Sequence, residues 1–306
     1  ALKGIESMRL NDTYDSALST LVVSHLLNNI GCIQYIQGSI TNAKKTFLSA
    51  LRIGNNVLKQ TSRINKSKII QGYKHVGTIY YNLGIANARL DLKEETKKSL
   101  ECAVALQKEG LGESHPDNAI VQHNVGLIFL SAGLMNEAMN ALLESIRIIR
   151  FVFGNGNRQV AKVLFQLGKV HEMKCEYNEA LHVYQETLRI ERLTLGMNHP
   201  EAVMTMYEIG KVHHERGDLE EALNTYNEIL PIVRASSSIG TLSLVLLLCQ
   251  MVTIHIEIGN IEAATRIYIR VSRMIEQDSS AQTIINIVAV GKIEYLLMNP
   301  PAAATA

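Results

Sequence analysis

Histidines recur along this chain at a constant interval, and imidazole is a common ligand of zinc. They stand at His171, His213 and His255, an interval of 42, and His214 follows the second of them. The same position one interval earlier holds Phe129, a residue type that indicates packing. If the interval separates stacked helices, equivalent side chains lie about 8–10 Å apart, whereas zinc-bound nitrogens each lie about 2.0–2.1 Å from one ion. We therefore interpret these histidines as packing residues and predict no metal site.

Other patterns that could support catalysis are weak. The sequence GNGN at 154–157 has two of the glycines of a phosphate-binding loop. It follows a helical pattern and lacks the third glycine and the Gly-Lys-Ser/Thr ending of such loops. No Ser-His-Asp set, carboxylate pair or His-Glu-x-x-His motif can be placed by its spacing. The sequence predicts no catalytic residue, no cofactor and a non-enzymatic protein; an active site assembled only in the fold is the alternative left open.

Composition excludes several classes of partner. The 306 residues include 30 Lys and Arg against 29 Asp and Glu, so no overall field attracts nucleic acid. The four cysteines are far apart, which indicates reduced thiols inside a cell. We expect no membrane insertion, since the apolar run at 244–249 is soon interrupted by Gln250 and Glu257. An intracellular, cytoplasmic location is expected; because residue 1 is Ala and not Met, an organelle and missing upstream residues stay open.

The periodic histidines and the GNGN sequence belong to a repeat with a period of 42 residues. LGESHPDNA (111–119) and LGMNHPEA (195–202) begin two periods apart, and FGNGN (153–157) lies midway. A second column of glycines, each after an aliphatic residue, has the same period: Gly84, Gly126, Gly168 and Gly210. A turn position follows each glycine by seven residues, a small residue by twelve, and a Leu or Tyr by sixteen. This pattern predicts two helices per repeat, with small residues that let their axes approach to about 8–10 Å.

The repeat also sets the expected boundaries. A first copy around Gly31 is separated from the copy around Gly84 by more than one period, which marks an insertion within the basic stretch 59–74. We expect an N-terminal segment (1–21), a solenoid (22–276), a C-terminal capping helix (277–298) and a flexible tail (299–306). The apolar segment 281–298 suits a cap, because an uncapped solenoid exposes its core.

The aliphatic-Gly, turn and Ala-x-x-x-Tyr pattern resembles the tetratricopeptide repeat. The period of 42, the Leu-Gly-x-x-His-Pro linker and the sequences NNIG, YNLG and HNVG are similar to the variant found in kinesin light chains. The resemblance implies an all-α, right-handed superhelical solenoid of stacked antiparallel helix pairs, with about six repeats and a C-terminal capping helix. In the linker, proline suits the first position of a helix, and the histidine before it is pushed to an extended conformation.

The resemblance also implies where a partner binds. In this architecture the first helices line a concave groove, and the polar residue two positions before each glycine faces it: Asn82, Asn124, Gln166 and Glu208. In relatives that bind peptides, the Asn of an Asn-aliphatic-small sequence holds an extended peptide backbone. Asn82 and Asn124 match this pattern, while Gln166 and Glu208 depart from it. The competing explanation is a column that is polar only for solubility.

Three lysines lie beside this column. Lys162 and Lys169 share one helix face with Gln166, and Lys211 is the equivalent of Lys169 one repeat later. They predict a local basic patch on a neutral protein, and hence an acidic peptide as the hypothetical ligand. The neighbouring Tyr81, Phe165 and Tyr207 suit either apolar pockets or the core, and we favour the core.

Two functions from different classes remain. The first is a protein-interaction scaffold or adaptor that binds a peptide segment or partner protein in the groove. The alternative is a permanent structural subunit or assembly factor of a larger complex, whose interface should exceed about 2,000 Å².

Overall fold

Every regular element in the described part of the chain is an α-helix. The computed structural model describes residues 20–61, 66–235 and 240–277. Its helices are α1 (20–36), α2 (Ile40–Thr61), α3 (Lys66–Arg89), α4 (Lys93–Leu111), α5 (Pro116–Ser131), α6 (Met135–Phe153), α7 (Arg158–Met173), α8 (Tyr177–Leu195), α9 (Pro200–Arg216), α10 (Leu219–Ala235), α11 (Gly240–Glu257) and α12 (Ile261–Gln277). They make six pairs in this part of the chain, which confirms the predicted fold class. The predicted capping helix beyond Gln277 and the tail lie outside the described residues.

The chain divides into two compact units. Unit 1 extends to Asn155 and contains α1 to α6, and unit 2 begins at Gly156 and contains α7 to α12. Within each unit the two helices of a pair pack together, and the first helix of a pair also packs on the second helix of the pair before it. None of the described helices is both long enough and apolar enough to cross a membrane.

The turns inside the pairs all contain a residue with positive φ at the predicted position. Four are glycines, for example Gly133 (φ 73°) and Gly217 (φ 94°). The other two are Asp91 (φ 56°) and Cys175 (φ 58°), residues for which the left-handed region is costly. The backbone turn is therefore retained where its usual residue is absent, because the packing of the two helices determines it.

The linkers between pairs place a side-chain cap at the start of the next helix. His115 and His199 are extended, as expected, and each Nδ1 accepts a hydrogen bond of 3.2 Å, from the backbone N–H of Asp117 and Glu201 respectively. In the middle copy Asn157 Oδ1 accepts from the backbone N–H of the residue two positions later at 2.8 Å. The histidines of the linker are thus N-caps, a role that the sequence analysis did not give them.

The insertion near 59–74 coincides with the longest helices. α2 has 22 residues and α3 has 24, whereas α4 to α12 have between 16 and 19. The described residues of this basic stretch are therefore helical.

The glycine column of the first helices allows close contact with a large side chain of the second helices. A Cβ added to Gly168 would lie 2.5 Å from Cε1 of Tyr184, and one added to Gly84 would lie 2.5 Å from Cδ2 of Leu100. Tyr184 is fully buried, and its ring cannot retreat into a close-packed interior without displacing other groups. The glycine therefore determines the separation of the two helices in the five pairs that have it; in α11 the equivalent residue is Val252.

One buried side chain departs from the apolar pattern of the repeat. Glu191 in α8 is 3% exposed and stands where the neighbouring repeats have Ile149 and Val233, both buried. Burial raises the pKa of Glu191, although the Thr205 hydroxyl and the charge of Arg158 oppose the shift. The ionised carboxylate is therefore unfavourable in the folded state near neutral pH.

We predict that Gly168→Leu lowers the free energy of unfolding by about 1–3 kcal/mol through overpacking against Tyr184. Urea unfolding measures the change. Gly156→Leu is the control, because a Cβ at Gly156 has no neighbour within 4 Å. Equal stability of Gly168→Leu and the unmodified protein would contradict the assigned contact.

Replacing Glu191 should stabilise the protein at neutral pH. The raised pKa means that the folded state favours the protonated carboxyl, so its contribution is present below pH 4.5 and is lost as the pH rises through the folded pKa. Glu191→Gln should raise the melting temperature at pH 7 and have little effect at pH 4. Glu191→Ile, which copies Ile149, should also stabilise at pH 7, by about 1–3 kcal/mol. A lower melting temperature of both variants at pH 7 would show that the carboxylate is favourable where it lies.

Candidate interaction surface

The first helices of unit 2 present equivalent residues in rows. The row six residues before the glycine column contains Lys162 of α7, Met204 of α9 and Leu246 of α11, and all three are exposed. The row two residues before that column contains Gln166, Glu208 and Gln250. We call these residues, together with Lys169 and Lys211, the first-helix face of unit 2.

The lysines of this face are close to carboxylates. Lys169 Nζ lies 3.5 Å from Glu208 Oε1, and its ammonium group is 5.0 Å from the centre of the Phe165 ring. Lys211 forms an ion pair with Glu172 and a longer one of 3.5 Å with Glu215. Both lysines are therefore neutralised locally, and they connect α7 to α9.

The pKa values of Glu208 and Lys211 in this cluster are both raised, but for different reasons. The pKa of Glu208 is raised by burial, while Lys169 and Lys211 oppose the shift. Burial disfavours the charge of Lys211, but Glu172, Glu215 and Glu208 outweigh it and raise the pKa of Lys211. The lysine stays charged, and it compensates for Glu172, whose side chain is only 9% exposed.

Aromatic residues next to this face pack against the core or hydrogen-bond to its carboxylates. The hydroxyl of Tyr184 donates to Glu172 Oε2 at 3.2 Å. Phe165 packs against the core between α8 and α9, as favoured above, and Tyr207 packs against the core formed by α9 to α12. Tyr81 of unit 1 is half-buried, and burial raises its pKa.

An apolar cavity of about 320 Å³ opens between α9 and α11, with α10 as its floor. Its lining includes Met204, Tyr207, Ile229, Val233 and Leu246. Tyr207 therefore also contributes to a pocket, in addition to its place in the core. Met204 and Leu246 are not among the residues predicted from the sequence; the row that they share with Lys162 is the signal that could have found them.

In unit 1 the structure describes two of the predicted site residues. Asn82 Nδ2 donates to Asn28 Oδ1 at 2.9 Å and contacts Cys32 Sγ at 3.4 Å, so its amide hydrogens bridge α3 to α1. Asn124 of α5 is half-buried, and its side chain has no hydrogen bond to another residue in the described ranges. Only the carbonyl oxygen of Asn82 is available to a ligand, whereas both ends of the Asn124 amide are.

The periodic histidines have partners within the repeats. His171 Nδ1 lies 2.7 Å from Glu176, and His214 Nε2 lies 2.8 Å from Glu257. Burial lowers the pKa of His255. Within residues 20–61, 66–235 and 240–277, no three His, Cys, Asp or Glu side chains are grouped so that they could hold a metal ion.

Comparison with known families identifies the repeat. The family model described as Tetratricopeptide repeat matches residues 124–192 and, in a second overlapping match, residues 159–235. Residues 124–235 are tetratricopeptide repeats. No curated protein is similar enough in sequence to count as a relative.

Solved tetratricopeptide-repeat structures have the same fold. BtubC (BKLC) from P. vanneervenii aligns with a TM-score of 0.57 at 12% identity, over 77% of this chain and 90% of that one. A putative kinesin light chain from Podosopora anserina with nearly identical TPR-like repeats aligns with a TM-score of 0.54 at 16% identity, over 70% and 96%. The tetratricopeptide-repeat sensor-containing STAND ATPase from Pyrococcus horikoshii aligns with a TM-score of 0.57 at 14% identity, over 89% of this chain but 39% of that protein. The predicted resemblance to tetratricopeptide repeats is confirmed, and the fold is shared with a putative kinesin light chain.

We predict that Lys211→Met destabilises the protein by about 1–3 kcal/mol, because it leaves the nearly buried carboxylate of Glu172 without its cation. Lys162→Met is the matched control on the same face; it removes an exposed lysine and should change stability by at most about 0.5 kcal/mol. Thermal unfolding of both variants, and of Lys211→Met combined with Glu172→Gln, measures the effect. The account is contradicted if the two single variants are equally stable, or if Glu172→Gln does not recover part of the loss.

Proposed function

We propose that this chain is a non-enzymatic adaptor whose first-helix face in unit 2 binds a short, extended peptide segment of a partner protein. Tetratricopeptide repeats generally mediate protein–protein interactions. The observation that carries the proposal is the apolar cavity between α9 and α11, which opens beside the exposed row of Lys162, Met204 and Leu246.

The cavity would take one large apolar side chain of the peptide. Met204 is 51% exposed and Leu246 is 43% exposed, and both line the cavity. An aliphatic or aromatic side chain placed between them removes apolar surface of both partners from water. This anchor contributes most of the affinity, because a desolvated apolar contact outweighs exposed charge pairs.

Lys162 would select an acidic residue near that anchor. It is the equivalent of Met204 on α7, and no ion pair joins it to a carboxylate in the described ranges. Neighbouring helices lie about 8–10 Å apart, and an extended chain advances about 3.3 Å per residue. Because the anchor lies between α9 and α11, about one and a half helix spacings from α7, the acidic residue should be about four residues from it.

Of the three lysines predicted to form a basic patch, Lys162 is the one that would select the charge of a ligand. Glu208 and Glu172 already neutralise Lys169 and Lys211, so these two lysines hold α7 against α9 and contribute less to ligand charge selection. The amide of Gln166, which is half-buried, has donors and an acceptor for a peptide backbone. In unit 1 the amide of Asn124 offers the same groups at a separate face.

Defined peptides test this proposal. The probes are extended Gly/Ser-based peptides with one Leu, and with Glu or Lys about four residues before or after it. Fluorescence anisotropy should show tighter binding of a Glu peptide than of the Lys peptides. Met204→Glu should abolish binding, because it places a charge at the mouth of the cavity.

Variants that change the charge of Lys162 distinguish its selection of an acidic peptide from the binding of the apolar anchor in the cavity. Lys162→Glu should reverse the preference from the Glu to the Lys peptide and reduce the salt dependence of Glu-peptide binding, since an exposed pair acts more on selectivity and on-rate than on affinity. Arg189→Glu, an equal charge change at an exposed position of α8, is the control. If no peptide binds, or if Met204→Glu binds as well as the unmodified protein, the permanent-subunit function is the better account.

A further inference from the structure

Unit 1 contains a second cavity, of about 390 Å³, between the second helices α4 and α6, with α5 as its floor. Its lining includes the apolar side chains of Val104 and Ala105 of α4, Val125 of α5 and Ala141 of α6. We call this cavity the α4–α6 groove. It lies in a different unit from the first-helix face of unit 2, and the proposed function does not use it.

Short side chains of α4 leave space for this groove. Ala105 stands where α6 has Arg147 and α8 has Arg189, and Val104 stands where α8 has Leu188. Equivalent residues of the repeat occupy equivalent places on their helices. The small residues of α4 therefore leave open a space that the longer side chains of other second helices would occupy.

The floor of the groove contains a buried amide without a partner. Gln122 is 7% exposed and borders the groove. Its side chain makes no hydrogen bond within the part of the chain that the structure describes. The equivalent residue is apolar or aromatic in the other five first helices: Leu27, Tyr80, Leu164, Met206 and Leu248. Since an unpaired buried amide is destabilising, the donors and the acceptor of Gln122 are suited to a group bound in the groove.

The charge of the groove favours a cation. Three carboxylates line it: Glu101, Glu137 and Glu144. Lys97 pairs with Glu137 at 2.8 Å. Lys108 and Arg147 pair with Glu144 at 3.0 and 2.7 Å. Glu101 is exposed and has no ion pair with another described residue, so its charge is available to a ligand.

We propose that the α4–α6 groove binds a lysine or arginine side chain of a partner protein. The aliphatic part of that side chain would cover Val104 and Ala141, and its cation would pair with Glu101. Val104 and Glu101 are three residues apart on one face of α4, so one side chain can contact both. Lysine and arginine suit this arrangement, because their stems bury on apolar surface while the charged end stays in water.

The amide of Gln122 favours a peptide over a small amine. It has donors and an acceptor, which match the C=O and N–H of a peptide backbone. An acidic side chain would be repelled by the carboxylates of the lining, and an apolar one would leave Glu101 without a cation. This inference stands whether or not the first-helix face of unit 2 binds a peptide.

Peptides that differ in one side chain test the proposal on the full chain. The probes are labelled Gly/Ser peptides with one central Lys, Arg, norleucine or Glu; norleucine retains the stem and lacks the cation. Fluorescence anisotropy should show that the Lys and Arg peptides bind about two- to fivefold more tightly than the norleucine peptide. The Glu peptide should bind most weakly. Equal binding of the Lys and norleucine peptides, or no binding of the Lys peptide, overturns the proposal.

Three variants locate the site. Glu101→Gln should remove the preference for Lys over norleucine, and Glu109→Gln, which changes an exposed carboxylate of α4 outside the groove, is its control. Gln122→Leu, which copies the leucine of α7, should weaken the Lys peptide about two- to tenfold without lowering the melting temperature. Ala105→Arg, which copies the arginine of α8, should fill the groove and abolish binding. Unchanged binding of the Lys peptide in any of the three overturns the proposal.

Two further measurements distinguish other accounts. n-Butylamine has a stem and a cation but no peptide backbone, so it should compete with the Lys peptide about tenfold more weakly than an unlabelled Lys peptide does. Equal competition would mean a site for small amines and would overturn the peptide as occupant. Met204→Glu should leave binding of the Lys peptide unchanged. Loss of binding in Met204→Glu would place this peptide on unit 2 and would also overturn the proposal.

Discussion

The structure depends on the contact between a glycine of the first helix and a large side chain of the second helix, which five of the six described pairs make. Where Gly168 meets the ring of Tyr184, no Cβ can be accommodated, so the contact fixes how far the two helices stand apart. The turn between them then has little freedom, and this explains why Asp91 and Cys175 adopt positive φ without being glycine. Because the contact recurs in α1, α3, α5, α7 and α9, it reproduces the same geometry in these five pairs.

The geometry of the helix pairs determines which side chains of the first helices of unit 2 lie next to one another on the surface. Equivalent positions lie side by side, so a row is a surface feature even though its members are a full repeat apart in sequence. Lys162, Met204 and Leu246 combine one cation with an apolar cavity, while the row of Gln166 and Glu208 adds amide and carboxyl groups. The ion pairs of Lys169 and Lys211 with carboxylates of the same face keep it close to neutral.

Sequence predicted the fold well because its determinants are local and periodic. The glycine column, the turn position and the proline after His115 or His199 each act within a few residues of themselves, and the helices begin and end where they indicate. The partners of the lysines could not be read in the same way. Glu172 lies 39 residues before Lys211, and only the packing of α7 on α9 brings them together.

Buried exceptions to the pattern were also invisible in the sequence. Glu191 has an ordinary polar residue type, and the groups that oppose the rise of its pKa, Thr205 of α9 and Arg158 of α7, are far from it in sequence. The cavity between α9 and α11 depends on the volume left between three helices, which no spacing rule gives. Fold and turns follow from periodicity, whereas ion pairs and cavities follow from tertiary packing.

The central claim is that the first-helix face of unit 2 is the working surface. An unbiased selection from a displayed library of random peptides, followed by hydrogen exchange of the protein with the best-binding peptide, tests it most directly. The account predicts slower exchange in α9 and α11 around Met204 and Leu246, and a selected motif with one large apolar residue and an acidic residue about four positions away. Slower exchange confined to the second helices α8, α10 and α12, or a selected motif with no apolar residue, would contradict it.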